Sequence, residues 1–331
     1  MVVRTGHMSD VTGEAGTVTL VTGGTGFVGS AVVRRLIEGR NMVQVLTRDP
    51  FQVPRNRRVA GAYYLKGDIF DPPSLDEGMK GCWAVINATQ FDNAPFENPR
   101  RGLTYDRIDG EGTERQVEAA KKAGVKRFIY LSGAGTREGR TETWFRAKLR
   151  AEKAVRESGL QWTILRPSWI YGPEDRSLNR FALFARIAPV IPIIGSGREK
   201  IQPVYVKDIA EIVARALYLP STHHQTYDVG GPEAMTMKKI VQTMLRVQGK
   251  HRLVLPHPKI LMKMIATFLQ FLPTPPLTPG GIDFVTMEEQ VDNTSLLGAI
   301  PLRLTPLEEG LRDYLAQFQG SSPPADQRVA A

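Results

Sequence analysis

From Val18 to Leu165 the chain alternates short β-branched, apolar runs with longer stretches whose apolar positions recur every three or four residues. Val18-Thr19-Leu20-Val21-Thr22 enters a glycine cluster. Phe27, Val28, Val32, Val33, Leu36 and Ile37 leave it at the spacing of one helical face. Further strands are predicted at Met42–Thr47, Ala62–Leu65, Cys82–Asn87, Arg127–Leu131 and Trp162–Leu165. Between them the pattern predicts a helix around Pro73–Met79, a loop from about Gln90 to Arg101, and a long helix from about Leu103 to Ala123 that Gly124 stops. A helix over 141–158 follows. Strands alternating with helices predict an α/β fold, a doubly wound parallel sheet covered on both faces by right-handed crossovers. Ligands in such sheets bind beyond the strand C-termini, where strand order reverses. Residues 23–29, 48, 68, 88–89, 132–133 and 167–170 all fall at that edge.

Beyond Pro173 proline and glycine become frequent and the elements irregular. Helices are predicted over 207–218 and 235–248, with short strands around Ile201–Tyr205 and Thr226–Val229. The expected organisation is a disordered N-terminus over 1–16, a nucleotide-binding domain over 17–175 into which 201–230 is partly woven back, a smaller C-terminal α/β lobe over 176–319, and a disordered tail over 320–331. One stretch stands apart. In 258–273, Ile260, Leu261, Met264, Ile265, Phe268, Leu269 and Leu272 form a broad apolar stripe beside Lys259 and Lys263. The stripe suits packing on its own lobe, a partner protein's groove or a membrane surface.

Composition changes this picture little. With 331 residues, 42% hydrophobic and 23% charged, the chain is an ordinary globular protein with ample core. A single cysteine, Cys82, excludes an internal disulfide and a cysteine metal cluster. The five histidines have no metal-ligand spacing, so no metal is expected. The net charge of +9 is dispersed over helices that also carry acids, which predicts a solvated basic surface and no nucleic-acid partner. Residues 1–16 are polar, and no apolar run reaches the ~20 residues of a spanning helix. The expected location is cytoplasmic, peripheral to the inner membrane face if 258–273 docks there.

The glycines at 23, 26 and 29 give G-x-x-G-x-x-G between a strand and a helix. A helix N-terminus offers N–H groups and a partial positive charge, and residues without side chains let a pyrophosphate approach them. The candidate cofactor set is therefore Gly23, Thr25, Gly26, Phe27, Val28 and Gly29 on the phosphates, with Ala88 and Thr89 at the next strand end. An acid at the end of the second strand would bind a ribose 2′-hydroxyl, whereas arginine accommodates a 2′-phosphate. Thr47 occupies the acid position and Arg48 follows, with Arg55, Arg57 and Arg58 close by. This favours NADP(H), and Asp49 keeps NAD(H) open. Asp68 is placed for the adenine amino group, with Ile69 beside it, or serves as a turn aspartate before Pro72.

Thr22–Gly29, Gly67-Asp68, Arg127–Ser132, Lys148, Arg166-Pro167 with Tyr171-Gly172-Pro173, and Pro203–Asp208 together resemble the extended short-chain dehydrogenase/reductase superfamily over roughly 17–230. This implies a Rossmann-type sheet with a smaller C-terminal lobe. Within the superfamily the chain is most similar to the atypical branch containing the nucleotide-binding accessory subunit of respiratory complex I and its bacterial relatives, with NmrA-like redox sensors next. The resemblance implies a Tyr-x-x-x-Lys pair on the helix after the fifth strand. A phenol would pass a proton, and a lysine would lower its pKa and hold the nicotinamide ribose. Lys148 is present, but Trp144 stands at the tyrosine position, and an indole N–H cannot act as an acid. The serine or threonine position is Gly133, with Ser132 one residue early.

Binding without efficient proton transfer is the reading that follows, with a structural, regulatory or assembly role in a protein complex. An active oxidoreductase, epimerase or dehydratase with a rearranged acid remains the alternative. In it Lys148 would hold the ribose, Ser132 or Tyr171 would contact substrate, and Pro167 and Ile170 would pack by the nicotinamide. An NmrA-like sensor is the third reading, and it requires unequal affinity for the two redox forms.

Overall fold

A computed structural model describes residues 18–91, 94–95, 97–269, 279–288 and 290–318. The expectations for 1–16, 320–331 and the end of the 258–273 stripe lie outside the described residues. The chain divides into two units, the first built from 18–167, 207–229 and 292–302, the second from 168–206, 230–291 and 303–318.

The first unit opens with β1 (Val18–Thr22), α1 (Phe27–Glu38), β2 (Met42–Thr47), β3 (Tyr63–Lys66), α2 (Pro72–Met79) and β4 (Cys82–Asn87). α3 (Gly112–Lys122), β5 (Arg127–Leu131), α4 (Thr143–Arg156) and β6 (Gln161–Pro167) complete the run. The sheet order is Gln225–Val229, β6, β5, β4, β1, β2, β3, with every pair parallel. The doubly wound Rossmann-type sheet is thus present, and its order reverses between β1 and β4. Parallel strands covered on both faces read as continuous apolar runs, and all five residues of β5 are buried. Leu20, Val85, Phe128 and Ile164 form the core with Val117, Ala120, Ala151 and Val155 from the covering helices.

One predicted element is refined. The helix expected from about Leu103 to Ala123 runs without a break from 105 to 122, but it opens as a π-helix over Asp106–Glu111 before α3, and ahead of it Asn98 and Leu103 bridge around a 3₁₀ turn at Pro99–Arg101. Gly110 and Gly112 weaken regular helix there, and both are tightly covered. A Cβ on Gly112 would lie 2.8 Å from Ile69 Cδ1, and one on Gly110 3.3 Å from Arg150 Cδ. The wider turn carries Asp109 inward.

The segment 207–229 is fastened to the sheet by Arg127, whose side chain is fully buried. Its guanidinium donates to Gln161 O at 2.6 Å, Ala216 O at 2.7 Å, Thr222 Oγ1 at 3.0 Å, and Thr163 Oγ1. Ala216 lies in the last turn of helix Val206–Tyr218, where the carbonyl end of the helix favours a cation. Burial pulls the Arg127 pKa down to about 10, still far above neutral pH.

In the second unit Ile170–Tyr171 pairs with Val204–Tyr205, Val190–Ile194 pairs in parallel with Leu253–His257, and Lys200–Ile201 pairs with Met235–Thr236. Its helices are Arg176–Ile187, Met237–Val247, Lys259–Leu269, Pro279–Val285 and Leu307–Phe318. Asp175 caps the first of these, accepting from Ser177 N at 2.8 Å and Leu178 N at 2.7 Å. Burial pushes its carboxyl up to about 6, and the two N–H groups and Arg180 offset only part of that. A raised carboxyl pKa means the folded state holds the proton more tightly than the unfolded one, so stability falls as pH rises from about 4 to about 6. Asp175→Asn keeps a capping acceptor and removes that titration. Melts at pH 4.5 and pH 7 should show the wild type losing about 2 kcal/mol more than the variant across the interval. Parallel curves would show that Asp175 is not the source of the slope. Among the described residues no helix is long and apolar enough to cross a membrane.

Candidate dinucleotide site

The glycine turn sits at the C-terminal end of β1, beside the point where strand order reverses. Gly23 has φ +70°, the left-handed region, and a Cβ there would lie 2.3 Å from Ala88 O. A Cβ on Gly29 would lie 2.1 Å from Gly23 O, and one on Gly26 3.1 Å from the same oxygen. The turn closes through Gly26 N to Gly23 O at 2.9 Å, and Ser30 N then starts the helical ladder on Gly26 O. Gly26 caps α1 with no side-chain hydrogen bond, and the first turn of α1 carries no acid. The N–H groups of Phe27, Val28 and Gly29 therefore point out of an uncapped helix start next to a side-chain-free cradle. Thr25, Phe27 and Val28 are half-buried around it.

A polar network that the sequence pattern does not reveal holds this end of the sheet. Thr22 Oγ1 donates to Gln116 Oε1 at 2.5 Å, and Gln116 Nε2 reaches Gly112 O at 3.1 Å. Asn87 Nδ2 donates to Thr113 Oγ1 at 3.0 Å, while Asn87 Oδ1 accepts from Thr89 N at 3.0 Å. All four side chains are buried, and they tie the ends of β1 and β4 to α3. Ala88 N donates to Thr22 O at 3.0 Å, so the backbone at 88–89 is drawn against Gly23. The Thr89 hydroxyl is buried and has no hydrogen-bond partner among the described residues. An unpartnered hydroxyl beside a cradle that any Cβ would fill fits a phosphorylated ligand.

At the end of β2 Arg48 is exposed. The Asp49 carboxylate accepts from Phe51 N at 2.9 Å, folding it into its own turn. Asp68 behaves similarly, with one oxygen accepting from Phe70 N at 2.9 Å, while its own N–H donates to Ser74 Oγ at 3.0 Å. Ile69 packs on Gly112.

The residues expected to carry chemistry have other partners. Lys148 is 3% exposed. Its ammonium pairs with the fully buried Asp109 carboxylate at 2.7 Å and donates to Leu131 O at 3.2 Å. Burial drives the Lys148 pKa down, but Asp109 and Tyr130 push harder, so it rises and the lysine stays charged. Burial pushes the Asp109 carboxyl up, and Lys148 opposes that. Two phenols share the pocket. Tyr130 lies with its ring centroid 5.3 Å from Lys148 Nζ, and Tyr105 lies near Asp109. Burial raises both phenols, the opposite of the tuning a proton donor at neutral pH needs. Ser132 Oγ donates to Glu152 Oε1 at 2.6 Å, and Glu152, fully buried, also binds Arg166 at 2.8 and 2.6 Å and Arg156 at 2.6 Å. The Ser132 hydroxyl thus donates its proton to a buried carboxylate. Tyr171 belongs to the second unit, where it is fully buried, stacks on Tyr205 and touches Gly310. Pro167 ends β6 with its carbonyl accepting from Ala134 N at 3.0 Å, and Ile170 is half-buried in the second unit.

Trp144 meets Tyr105 and Phe145 edge-to-face, with centroids 5.7 and 5.3 Å apart, and Tyr105 meets Phe91 likewise. Its benzo edge lies on Gly133, where a Cβ would stand 2.3 Å from Trp144 Cη2 and 2.9 Å from Cζ2. The two departures from the active pattern are therefore one physical change: the indole occupies the space a side chain at 133 would need. The sequence shows both substitutions but not their contact.

A family model described as NAD(P)H-binding matches residues 23–184. The NADH dehydrogenase (ubiquinone) 1 alpha subcomplex subunit 9, mitochondrial, of Arabidopsis thaliana is 32% identical over 246 residues, 72% of this chain and 59% of that protein. The chain thus spans less than two thirds of that relative's length. The ceramide reductase of Caulobacter vibrioides (strain NA1000 / CB15N) is 31% identical over 252 residues, covering 75% of this chain and 76% of that protein. Among solved structures, the UDP-glucose 4-epimerase of Thermotoga maritima with UDP-glucose superposes with TM-score 0.69 at 21% identity, covering 92% of this chain and all of that one, a likeness of fold. With the glycine cradle at the sheet's switch point and these matches, the chain belongs to the NAD(P)-binding atypical short-chain dehydrogenase/reductases.

Proposed function

We propose that this protein holds NADP(H) without efficient hydride and proton exchange, and serves a structural, regulatory or assembly role beside a protein partner. The observation that carries the reading is the indole of Trp144 seated on Gly133, with Lys148 turned to Asp109. When bound, the dinucleotide would supply a redox-active nicotinamide. This chain's contribution is to grip the phosphates with Phe27, Val28 and Gly29 N–H groups, with Thr89 as a further donor. No phenol near Lys148 is tuned to deliver a proton. The name of the plant relative, a subunit of an NADH dehydrogenase, supports a role inside a larger assembly.

The phosphorylated cofactor is favoured because Thr47 puts no acid at the end of β2 and Arg48 follows it, while the Asp49 carboxylate accepts from Phe51 N within its own turn. Titrating the full chain with NADPH and NADH should show at least tenfold tighter NADPH binding. Arg48→Ala should remove most of that difference, about 1–2 kcal/mol, while NADH binding changes little. Equal affinities in the wild type would overturn the cofactor assignment. Turnover of an added carbonyl or nucleotide-sugar substrate at ordinary enzymatic rates would overturn the functional one.

A further inference from the structure

Helix Lys259–Leu269 is amphipathic in the wrong sense for a helix in water. Its charged side faces its own protein: Lys259 and Lys263 both reach Asp283 Oδ1 at 2.8 Å, on the neighbouring helix Pro279–Val285, and Ala266 on the same side is buried. Its apolar side faces out. Ile260 and Phe268 are each 77% exposed, and Leu261, Met264 and Ile265 between 42% and 59%. Ordinary surface helices bury that stripe. Two ion pairs on the inner side fix the helix about its axis, so the outward stripe is set by the fold. Leu253 and Leu255, alternating with buried Val254, protrude from the strand that leads into this helix, and Ile187 ends the helix before the partner strand. Exposed apolar surface gathered in one region marks a contact site.

The charge of this region says what covers it. From Ala234 through Ile282 the sequence holds no Asp or Glu, while Lys or Arg occurs seven times, and Arg176–Arg198 likewise contains bases and no acid. Glu233, Asp283 and Glu308 meet four of these bases, yet the two stretches hold eleven bases and no acid of their own. Bulky apolar groups outward on a short helix, in a region with such an excess of positive charge, are the combination that seats a helix in the headgroup boundary of an anionic bilayer. The helix is too short to span one. We propose that the second unit docks on an anionic membrane surface through the outward face of Lys259–Leu269, with Leu253 and Leu255 at its margin. This goes beyond the dinucleotide reading and stands independently of it.

The test is flotation of the full chain with phosphatidylcholine vesicles, with and without phosphatidylglycerol, using the wild type and the double variant Ile260→Gln/Phe268→Gln. Both positions are solvent-facing, so the variant should keep its melting temperature and its NADPH affinity. The wild type is expected to float with the anionic vesicles only, less at high salt, and the variant to bind them at least tenfold more weakly. Failure of the wild type to float with phosphatidylglycerol overturns the proposal. So does equal flotation on neutral vesicles, or an unchanged variant. A dimer in solution that the double variant dissociates would assign the face to a second copy of the chain instead.

Discussion

Asp109→Ala should lower the stability of the folded chain by roughly 3–5 kcal/mol, because it leaves the Lys148 ammonium buried with no acid beside it. In water the lysine would be hydrated; here Leu131 O and the face of Tyr130 remain as partners, and neither carries charge. Spread over the melting entropy of a chain this size, the loss should appear as a melting temperature lower by roughly 4–7 °C. Lys148→Met in the same chain removes the orphaned charge, so the double variant should be more stable than Asp109→Ala alone. Asp109→Asn keeps an acceptor for the lysine and should lose less than the alanine variant. Denaturant melts of the wild type, Asp109→Ala, Lys148→Met and the Asp109→Ala/Lys148→Met double variant form a cycle whose coupling term should exceed about 1 kcal/mol. Additive losses would mean that the two residues stabilise the pocket separately. NADPH affinity measured on the same proteins separates collapse of the pocket from loss of a cofactor contact.

The second large effect concerns residue 133. Gly133→Ser places a Cβ within 2.3 Å of Trp144 Cη2, so the indole must leave its seat among Tyr105, Phe145 and Phe91. Overpacking of this kind costs about 1–3 kcal/mol, and the loss of the edge-to-face contacts adds to it. Trp144→Tyr in the same chain withdraws the larger ring and should recover most of that loss, giving a strong favourable coupling in the double variant. The same logic predicts that Trp144→Tyr alone raises no turnover, because the hydroxyl partner at 133 is still missing. Denaturant melts of the singles and the double, with NADPH oxidation followed in parallel, check both halves. A Gly133→Ser protein as stable as the wild type would remove the steric link between the two positions.

The sheet and the glycine turn are legible in the sequence because their causes are local. A β-branched run, three glycines and an apolar helical face each leave a periodic trace, and Gly23 and Gly29 stand where backbone approaches within 2.3 Å of a Cβ position. The pocket around Lys148 is not legible in that way. Asp109 reads as one more acid in a helical stretch, and only the π-helical turn that Gly110 and Gly112 permit brings it inside. Glu152 likewise reads as a surface acid of a charged helix, yet it is fully buried among Ser132, Arg156 and Arg166. Such partners come from different strands and helices, and one sequence carries no sign of which pair meets. By sequence Ser132 directly follows β5, and Tyr171 lies four residues past β6. Their hydroxyls are engaged by Glu152 and by the interior of the second unit.

The buried Arg127 clasp bears on how the protein is made. The outermost strand of the nucleotide-binding sheet, Gln225–Val229, arrives from beyond a long excursion, and the helix before it supplies the carbonyl that receives the guanidinium. A nascent chain that has left the ribosome only as far as Pro167 holds Arg127 without its Ala216 and Thr222 acceptors, and a bare β6 edge. Completion of the first unit therefore waits on translation of the intervening part of the second. The order of synthesis obliges the second unit to begin forming first or to stay extended meanwhile. Any shortened version meant to keep the nucleotide pocket must carry 207–229 along with the N-terminal half.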